Sequence, residues 1–363
     1  MDFFALFRQQ GQQLFWQRLD DRRVLGRPSG DSIQADEAYV VIRLAEMYLG
    51  TSRVLWRKFS PLVHAFVEHG NSGPLHAVAG PGQLQDLGEA NLDRVIVLNY
   101  RLAGPIPFKG GDLALLIGLY SVPRADAAAA LLSTLGALSD VAGPSATTAV
   151  QIAGIVKDGV DSILSLGTTQ LRLGASDTFG GGGNDLRSGF HIGIGAPRRQ
   201  VPADRLWIKD GHLLEGNSAV LAREFEGADY FVVHLERLER RADWPGLPGL
   251  AEYEQRFGDI LKGAGDVAAK KAELADVWPL FGEALVRSPY LTRFDAGQIA
   301  NDVKADLRGR IDALESGGLF ETRGWATDRT VAYQPANVDF ALVPTVPHGT
   351  SDAGERALAD PGL

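Results

Sequence analysis

The chain of 363 residues contains no cysteine. This absence excludes disulfide bonds, thiolate metal sites, iron–sulfur ligation and catalysis by a cysteine nucleophile. The folded state must therefore be stabilised without disulfide bonds.

Basic residues are fewer than acidic ones. The 36 Lys and Arg residues face 45 Asp and Glu residues, so the net charge is −9. Phosphate neutralisation needs a basic face, and this balance argues against general nucleic-acid binding. Only 8 of the basic residues are Lys. Such an Arg-rich, Lys-poor composition indicates a GC-rich bacterial genome.

Long uncharged apolar runs are also missing. The longest, Val141–Val156, has 16 residues and contains Pro144, whereas a membrane-spanning helix needs about 20 residues. The N-terminal segment has an early acid, Asp2, and only a short apolar run, which is not typical of a signal peptide. The sequence therefore predicts a cytoplasmic protein with no transmembrane segment.

The motifs of several common active sites are absent. The sequence has no G-x-S-x-G nucleophile elbow, no P-loop and no H-E-x-x-H zinc motif. The glycine-rich stretch 104–111 contains two prolines, which remove amide groups that a phosphate cradle would use. The sequence accordingly predicts no catalytic residue and no cofactor-binding residue.

Glycine and proline are abundant, with 43 and 18 copies. The glycines follow no period, which excludes collagen and simple repeats. Over residues 36–243 they separate short runs of β-branched and aromatic residues, a pattern that predicts antiparallel strands joined by turns. The predicted strands lie at 39–44, 53–59, 62–68, 75–78, 94–102, 112–122, 169–174, 189–195, 206–214 and 229–238. We expect an α+β fold whose body is an antiparallel β-sandwich with C2-like or jelly-roll-like layering.

Particular segments of this β-rich part allow finer predictions. Asp210-Gly211, flanked by apolar residues, predicts a tight hairpin. Tyr230–Leu235 is apolar at nearly every position and predicts a central strand. His191 and His234 lie in apolar strands and are predicted to be core residues. The run Glu236–Asp243 mixes charges of both signs, which is typical of a solvated face with ion pairs.

Helices are predicted in three places. Residues 1–25 form an N-terminal helix, and 125–166 form a helical hairpin inserted into the β-rich domain. After a boundary at 244–249, a helical region spans 250–317. Its helices are expected at Leu250–Lys262, Asp266–Leu285 and Ala296–Leu314. The Gly- and Pro-containing tail 347–363 is expected to be disordered.

The N-terminal helix carries large aromatic side chains. Such a helix can pack on its own domain or dock onto a partner protein or a membrane surface. The candidate partner-binding residues are Phe3, Phe4, Phe7, Phe15 and Trp16.

Two groups of side chains are candidate metal ligands. His64, His69 and His76 are close in sequence, and zinc would require three or four such ligands to converge. Asp177 and Asp185 flank a glycine loop with one copy of the G-G-x-G-x-D calcium-repeat pattern. Because calcium takes six to eight oxygens and one copy cannot supply them, we predict no resident cofactor. Calcium is the ion to test first.

These observations lead to three functional hypotheses. The first is a non-enzymatic module that binds a protein partner or itself within a bacterial assembly. The second is a hydrolase without a standard motif, with the histidines at 64, 69 and 76 as the place to look. The third is a membrane-active effector that releases the small-residue hairpin 125–166.

Overall fold

A computed structural model describes most of the β-rich part of the chain and the helical region after it. The described residues are 14–27, 29–50, 53–54, 57–69, 75–79, 94–123, 170–180 and 186–316. The strands are β1 (Phe15–Arg18), β2 (Val24–Leu25), β3 (Ser32–Ile33), β4 (Tyr39–Tyr48), β5 (Arg53–Val54), β6 (Arg57–His69), β7 (Leu75–Ala79), β8 (Arg94–Pro107), β9 (Leu113–Pro123), β10 (Gln170–Phe179), β11 (Leu186–Arg187), β12 (Gly189–Ile194), β13 (Leu206–Lys209), β14 (His212–Glu215), β15 (Arg223–Glu224) and β16 (Tyr230–Leu238). The helices are α1 (Ala251–Lys262), α2 (Val267–Arg287) and α3 (Arg293–Glu315).

The largest part of the fold is an antiparallel sheet that we call the main sheet. Its strand order is β1-β12-β16-β4-β8. Strand β16 lies at the centre, and its residues Tyr230–Leu235 are all buried. The prediction of a central strand at this position is confirmed. Both of its faces are covered by apolar side chains, which explains the unbroken apolar run.

A second antiparallel sheet is built around β6 and β9. Its order is β10-β9-β6, with β5 and β7 both pairing with β6. The pairing of β6 with β9 runs without a shift from Phe59 opposite Pro123 to His69 opposite Leu113. The predicted strands at 62–68 and 112–122 correspond to β6 and β9.

One face of the main sheet and one face of the second sheet contribute to a single core cluster. Alternate residues of each strand point to the same face, and these alternating positions meet in the cluster. Its members include Val40, Ile42, Leu44, Phe231 and Val233 from the main sheet and Val63, Ala65, Val67, Leu115 and Ile117 from the second sheet. The protein is thus a mixed α+β fold with mostly antiparallel sheets.

A small sheet, β15-β14-β13-β2, covers part of the other face of the main sheet. Leu206, Ile208 and Leu213 share a core cluster with Ile192 and Val232 of the main sheet. Strands β13 and β14 are joined by Asp210 and Gly211, whose φ angles are 53° and 89°. Two consecutive positive φ angles fit a type I′ turn, and the predicted hairpin is confirmed.

The three α-helices pack around an aromatic core of their own. The predicted helices are confirmed, although α3 begins at Arg293, three residues earlier than expected. Trp278, Phe281 and Phe257 are completely buried in this core. Tyr39 of the main sheet belongs to the same cluster, so a residue from the first third of the chain completes the packing of the helical region.

The prediction of an N-terminal helix over 1–25 is wrong for its described part. Phe15–Arg18 is a strand that pairs with β12, and Asp21–Arg23 is a single 3-10 turn. Several other predictions concern residues that lie outside the described ones. These are the first part of the N-terminal helix with Phe3, Phe4 and Phe7, the hairpin 125–166, Asp185 and the tail 347–363.

Candidate functional site

The structure does not bring the predicted histidine ligands His64 and His69 together. Both lie on β6, five positions apart, so they point to opposite faces of the strand. At a rise of about 3.3 Å per residue, their Cα atoms are roughly 16 Å apart. His76 lies in β7, opposite Phe66 in the strand register. The hydrolase hypothesis required a cluster of histidines. His64 and His69 do not converge to form one.

His69 has a packing environment typical of a core residue. Its ring centroid lies 5.3 Å from that of Phe108, and its Nδ1 is 3.2 Å from the carbonyl oxygen of Asp112. Burial lowers the pKa of His69, while the hydrogen bond with Asp112 acts in the opposite direction. The imidazole is therefore neutral at pH 7.

Asp177, the described member of the predicted calcium pair, is bound to a tryptophan. The indole Nε1 of Trp16 donates to its Oδ2 at 2.7 Å, and the amide of Thr178 donates to its Oδ1 at 2.8 Å. Trp16 lies on an edge strand of the main sheet and Asp177 on an edge strand of the second sheet. The carboxylate joins the two sheets at this side. Within the described residues, no group of three or more His, Asp or Glu side chains is arranged to hold a metal ion.

His191 lies directly beneath this contact. Its ring stacks on Trp16 at 5.7 Å and meets the edge of Phe179 at 4.8 Å. Burial lowers the pKa of His191 to about 4; the nearby charge of Asp177 raises it, and that of Arg18 lowers it. The predicted core position is confirmed, and the imidazole is neutral at pH 7. Its Nδ1 is buried without a hydrogen-bond partner in the described structure.

The two described members of the proposed partner-binding set are occupied within the chain. Phe15 is buried in the core between the main sheet and the small sheet. Trp16 packs against the opposite core. Adjacent residues of a strand point to opposite faces, so these two aromatic side chains fix β1 from both sides.

Replacing Trp16 with phenylalanine should lower the free energy of unfolding by about 1–2 kcal/mol, because Asp177 loses a part-buried N–H donor. Asp177→Ala removes the acceptor of the same bond. Urea unfolding of both variants and of the double variant gives the coupling energy. Additive effects would show that the Trp16–Asp177 bond contributes nothing to stability.

A buried polar cluster connects α3 to the main sheet. The hydroxyl of Tyr39 donates to Oδ2 of Asp295 at 2.7 Å and accepts from the amide of Thr292 at 3.2 Å. The amide of Arg241 donates to the same Oδ2 at 2.9 Å. Asp295 and Thr292 are completely buried. Three segments that are distant in sequence therefore meet at the carboxyl group of Asp295.

The cluster caps the N-terminus of α3. Thr292 is the N-cap, and its Oγ1 accepts from the amide of Asp295 at 3.1 Å. In a capping box, the third helical residue would accept from the N-cap amide in return. Here the hydroxyl of Tyr39 takes that place. The amide of Phe294 donates to the carbonyl oxygen of Asp36 at 3.2 Å, so the main-sheet side of the molecule satisfies two amides of this helix end.

Ion pairs surround the cluster. The guanidinium of Arg241 is buried and donates to both carboxylate oxygens of Asp243, at 2.9 and 2.7 Å. Burial alone would raise the pKa of Asp243, but the hydrogen bonds and charge of Arg241 hold it below its usual value. Arg240 forms an ion pair with Asp302 of α3. The run Glu236–Asp243 thus includes a buried member, Arg241, where a solvated face was predicted.

A second buried carboxyl group, that of Glu46, contacts the small sheet. It lies on β4 and its Oε2 accepts from the amide of Leu213 at 2.7 Å. This amide belongs to β14, one of the two hairpin strands. The β13–β14 hairpin is therefore attached to the main sheet through a buried hydrogen bond as well as through apolar packing.

The most exposed large apolar side chains described are at the end of the small sheet. Val220 is 91% exposed and Leu221 is 72% exposed. Residues 216–222 connect β14 with β15 and lie at the opposite end of β14 from the Asp210-Gly211 turn. We call this connection, and not that turn, the hairpin tip. Its base is ordered by two bonds of Gly216, whose amide donates to Arg205 and whose carbonyl accepts from the indole of Trp207, both at 2.9 Å. Two aliphatic side chains are thus presented to solvent on a fixed support.

Sequence reasoning missed Tyr39, Asp295 and the hairpin tip. For Asp295 a signal existed, because Thr-x-x-Asp before an apolar run is a helix N-terminus pattern. Tyr39 is 256 positions from Asp295, and no local pattern reports such a contact.

Comparison with protein-family models, curated proteins and solved structures gives no match. Among the described helices, none has the length and apolar character needed to cross a membrane.

Proposed function

We propose that the protein is a non-enzymatic interaction module of a bacterial, cytoplasmic assembly, with the hairpin tip as its contact surface. In this proposal the two large sheets form an antiparallel β-sandwich, and the small sheet projects the contact residues from it. The observation that carries the proposal is that two consecutive residues, Val220 and Leu221, both have exposed aliphatic side chains. The occupant is a protein partner or a second copy of the chain.

Burial of these two side chains supplies a favourable free energy of association. Removing a Val or Leu side chain from water contributes about 1.5–3 kcal/mol. The base of the tip is already held by Gly216, and Glu46 and apolar packing hold the hairpin on the main sheet. An ordered contact loses less conformational entropy when it binds, which favours affinity.

The test is a Val220→Ser/Leu221→Ser double variant. The matched control is Leu280→Ser/Val286→Ser, which removes two exposed aliphatic side chains from α2. Light scattering across a concentration series measures self-association, and a tagged chain captures partners that are then purified and titrated individually. We expect the tip variant to weaken association at least tenfold while its melting temperature stays unchanged.

The control variant should associate like the wild type. Equal association of the tip variant and the wild type would overturn the assignment of the tip. Turnover of a substrate by a monomeric wild-type protein that retains no partner would overturn the proposal of a non-enzymatic module.

A further inference from the structure

The two carboxyl oxygens of Asp295 differ in their hydrogen bonding. The Oδ2 atom of Asp295 accepts from the Tyr39 hydroxyl and the Arg241 amide. The Oδ1 atom is buried and has no hydrogen-bond partner in the described structure. The guanidinium Nε of Arg240 lies 3.8 Å from it, which is beyond hydrogen-bond distance.

A buried oxygen that bears negative charge without a hydrogen bond is unfavourable, because water no longer solvates it. Protonation of Oδ1 removes the charge and leaves both bonds to Oδ2 possible. Ionisation instead leaves a charge in the core at the point where α3 contacts the main sheet. The geometry therefore favours the protonated carboxyl when the helical region is docked.

We propose that the Tyr39–Asp295 contact is a proton-linked latch, which holds the helical region on the main sheet more tightly when Asp295 is protonated than when it is ionised. The latch is a conformational device within the fold and does not depend on the proposed hairpin tip. Its consequence is that rising pH loosens α3 from the sheet before it affects the second sheet.

The groups that face Asp295 come from each neighbouring segment. Tyr39 contributes a hydroxyl from β4. Arg240 and Arg241 contribute positive charges from the segment after β16, and each is also paired with another acid, Asp302 or Asp243. Burial raises the pKa of Asp295; the hydrogen bonds from Tyr39 and Arg241 and the two arginine charges act against this increase without cancelling it.

The sign of the pH dependence follows from the raised pKa. The folded state binds the proton of Asp295 more tightly than the unfolded state does, so this group stabilises the fold at low pH. That stabilisation decreases as the pH rises from the ordinary pKa of an aspartate to the raised pKa. Within this pH range the equilibrium constant for unfolding changes by up to tenfold per pH unit.

The test compares the wild type with Asp295→Asn, which has a neutral side chain at every pH. Urea unfolding between pH 4 and 8 gives the unfolding constant of each protein. We expect the ratio of the wild-type constant to that of the variant to increase with pH by at least threefold. Asp302→Asn is the control, because Asp302 also pairs with Arg240 but is exposed, and its ratio should change less than twofold. A constant ratio for Asp295→Asn would contradict the latch.

Hydrogen exchange of the wild type gives a second measurement that does not require any variant to fold. Exchange rates are corrected for the intrinsic effect of pH and compared between peptides of α3 and of β6. The latch predicts that protection of α3 decreases with pH by at least threefold relative to that of β6. An equal change in both segments would show that the latch does not act locally and would overturn the proposal.

Discussion

Replacing Phe281 with alanine should lower the free energy of unfolding by about 3–5 kcal/mol. The ring lies at the centre of the helical core, with centroids 5.3 Å from Phe257, 5.5 Å from Tyr253, 5.8 Å from Trp278 and 5.9 Å from Trp244. Its removal leaves a cavity that four aromatic neighbours cannot fill without leaving their own contacts. Urea unfolding monitored by circular dichroism measures the loss.

The adjacent residue provides the control for this substitution. Leu280 lies on the same helix and is 45% exposed, so Leu280→Ala should change the free energy of unfolding by less than about 1 kcal/mol. Similar losses for the two variants would mean that the packing around Phe281 is not what stabilises the helical region.

Replacing Tyr39 with phenylalanine should lower the free energy of unfolding by about 2–4 kcal/mol. The change removes one oxygen atom, but it leaves the buried amide of Thr292 without its acceptor and Asp295 without one of its donors. Each buried polar group that loses its partner costs about 1–3 kcal/mol. The same urea unfolding experiment measures the effect.

A second buried tyrosine provides the control. It shows whether the predicted loss of stability comes from the hydrogen bonds of the Tyr39 hydroxyl or from replacing any buried tyrosine with phenylalanine. Tyr120 is also completely buried, but its hydroxyl has no hydrogen-bond partner in the described structure. Tyr120→Phe removes an unpaired polar atom and should be neutral or slightly stabilising. If Tyr39→Phe were as well tolerated as Tyr120→Phe, the role assigned to the Tyr39 hydroxyl would be refuted.

Most strands and helices of the described fold could be predicted from the sequence, because their patterns are local. Apolar residues occupy every second position of β6 from Phe59 to Val67, and α3 carries an apolar stripe. Strand β1 was mistaken for a helix because Phe15 and Trp16 pack into cores on opposite faces of the main sheet. A strand that is covered on both faces loses the alternation of polar and apolar residues on which its prediction relies.

The candidate site could not be predicted in the same way. Trp16 and Asp177 are 161 positions apart in the sequence, and Tyr39 and Asp295 are 256 positions apart. A sequence pattern shows that a residue is fit to cap a helix or to lie in a core, but the pairing depends on how the sheets and helices are placed together. Conversely, proximity in sequence does not ensure a contact. His64 and His69 are five positions apart, but they lie on opposite sides of one strand.

The cap of α3 has a consequence for the order in which the protein is made. Translation proceeds from the N-terminus, so Asp36, in the turn before β4, and Tyr39 of β4 leave the ribosome long before Thr292. The helix end that they cap is therefore synthesised after both of its acceptors. Because α3 is the last described element along the chain, its capped N-terminus can form only after every described strand has been synthesised.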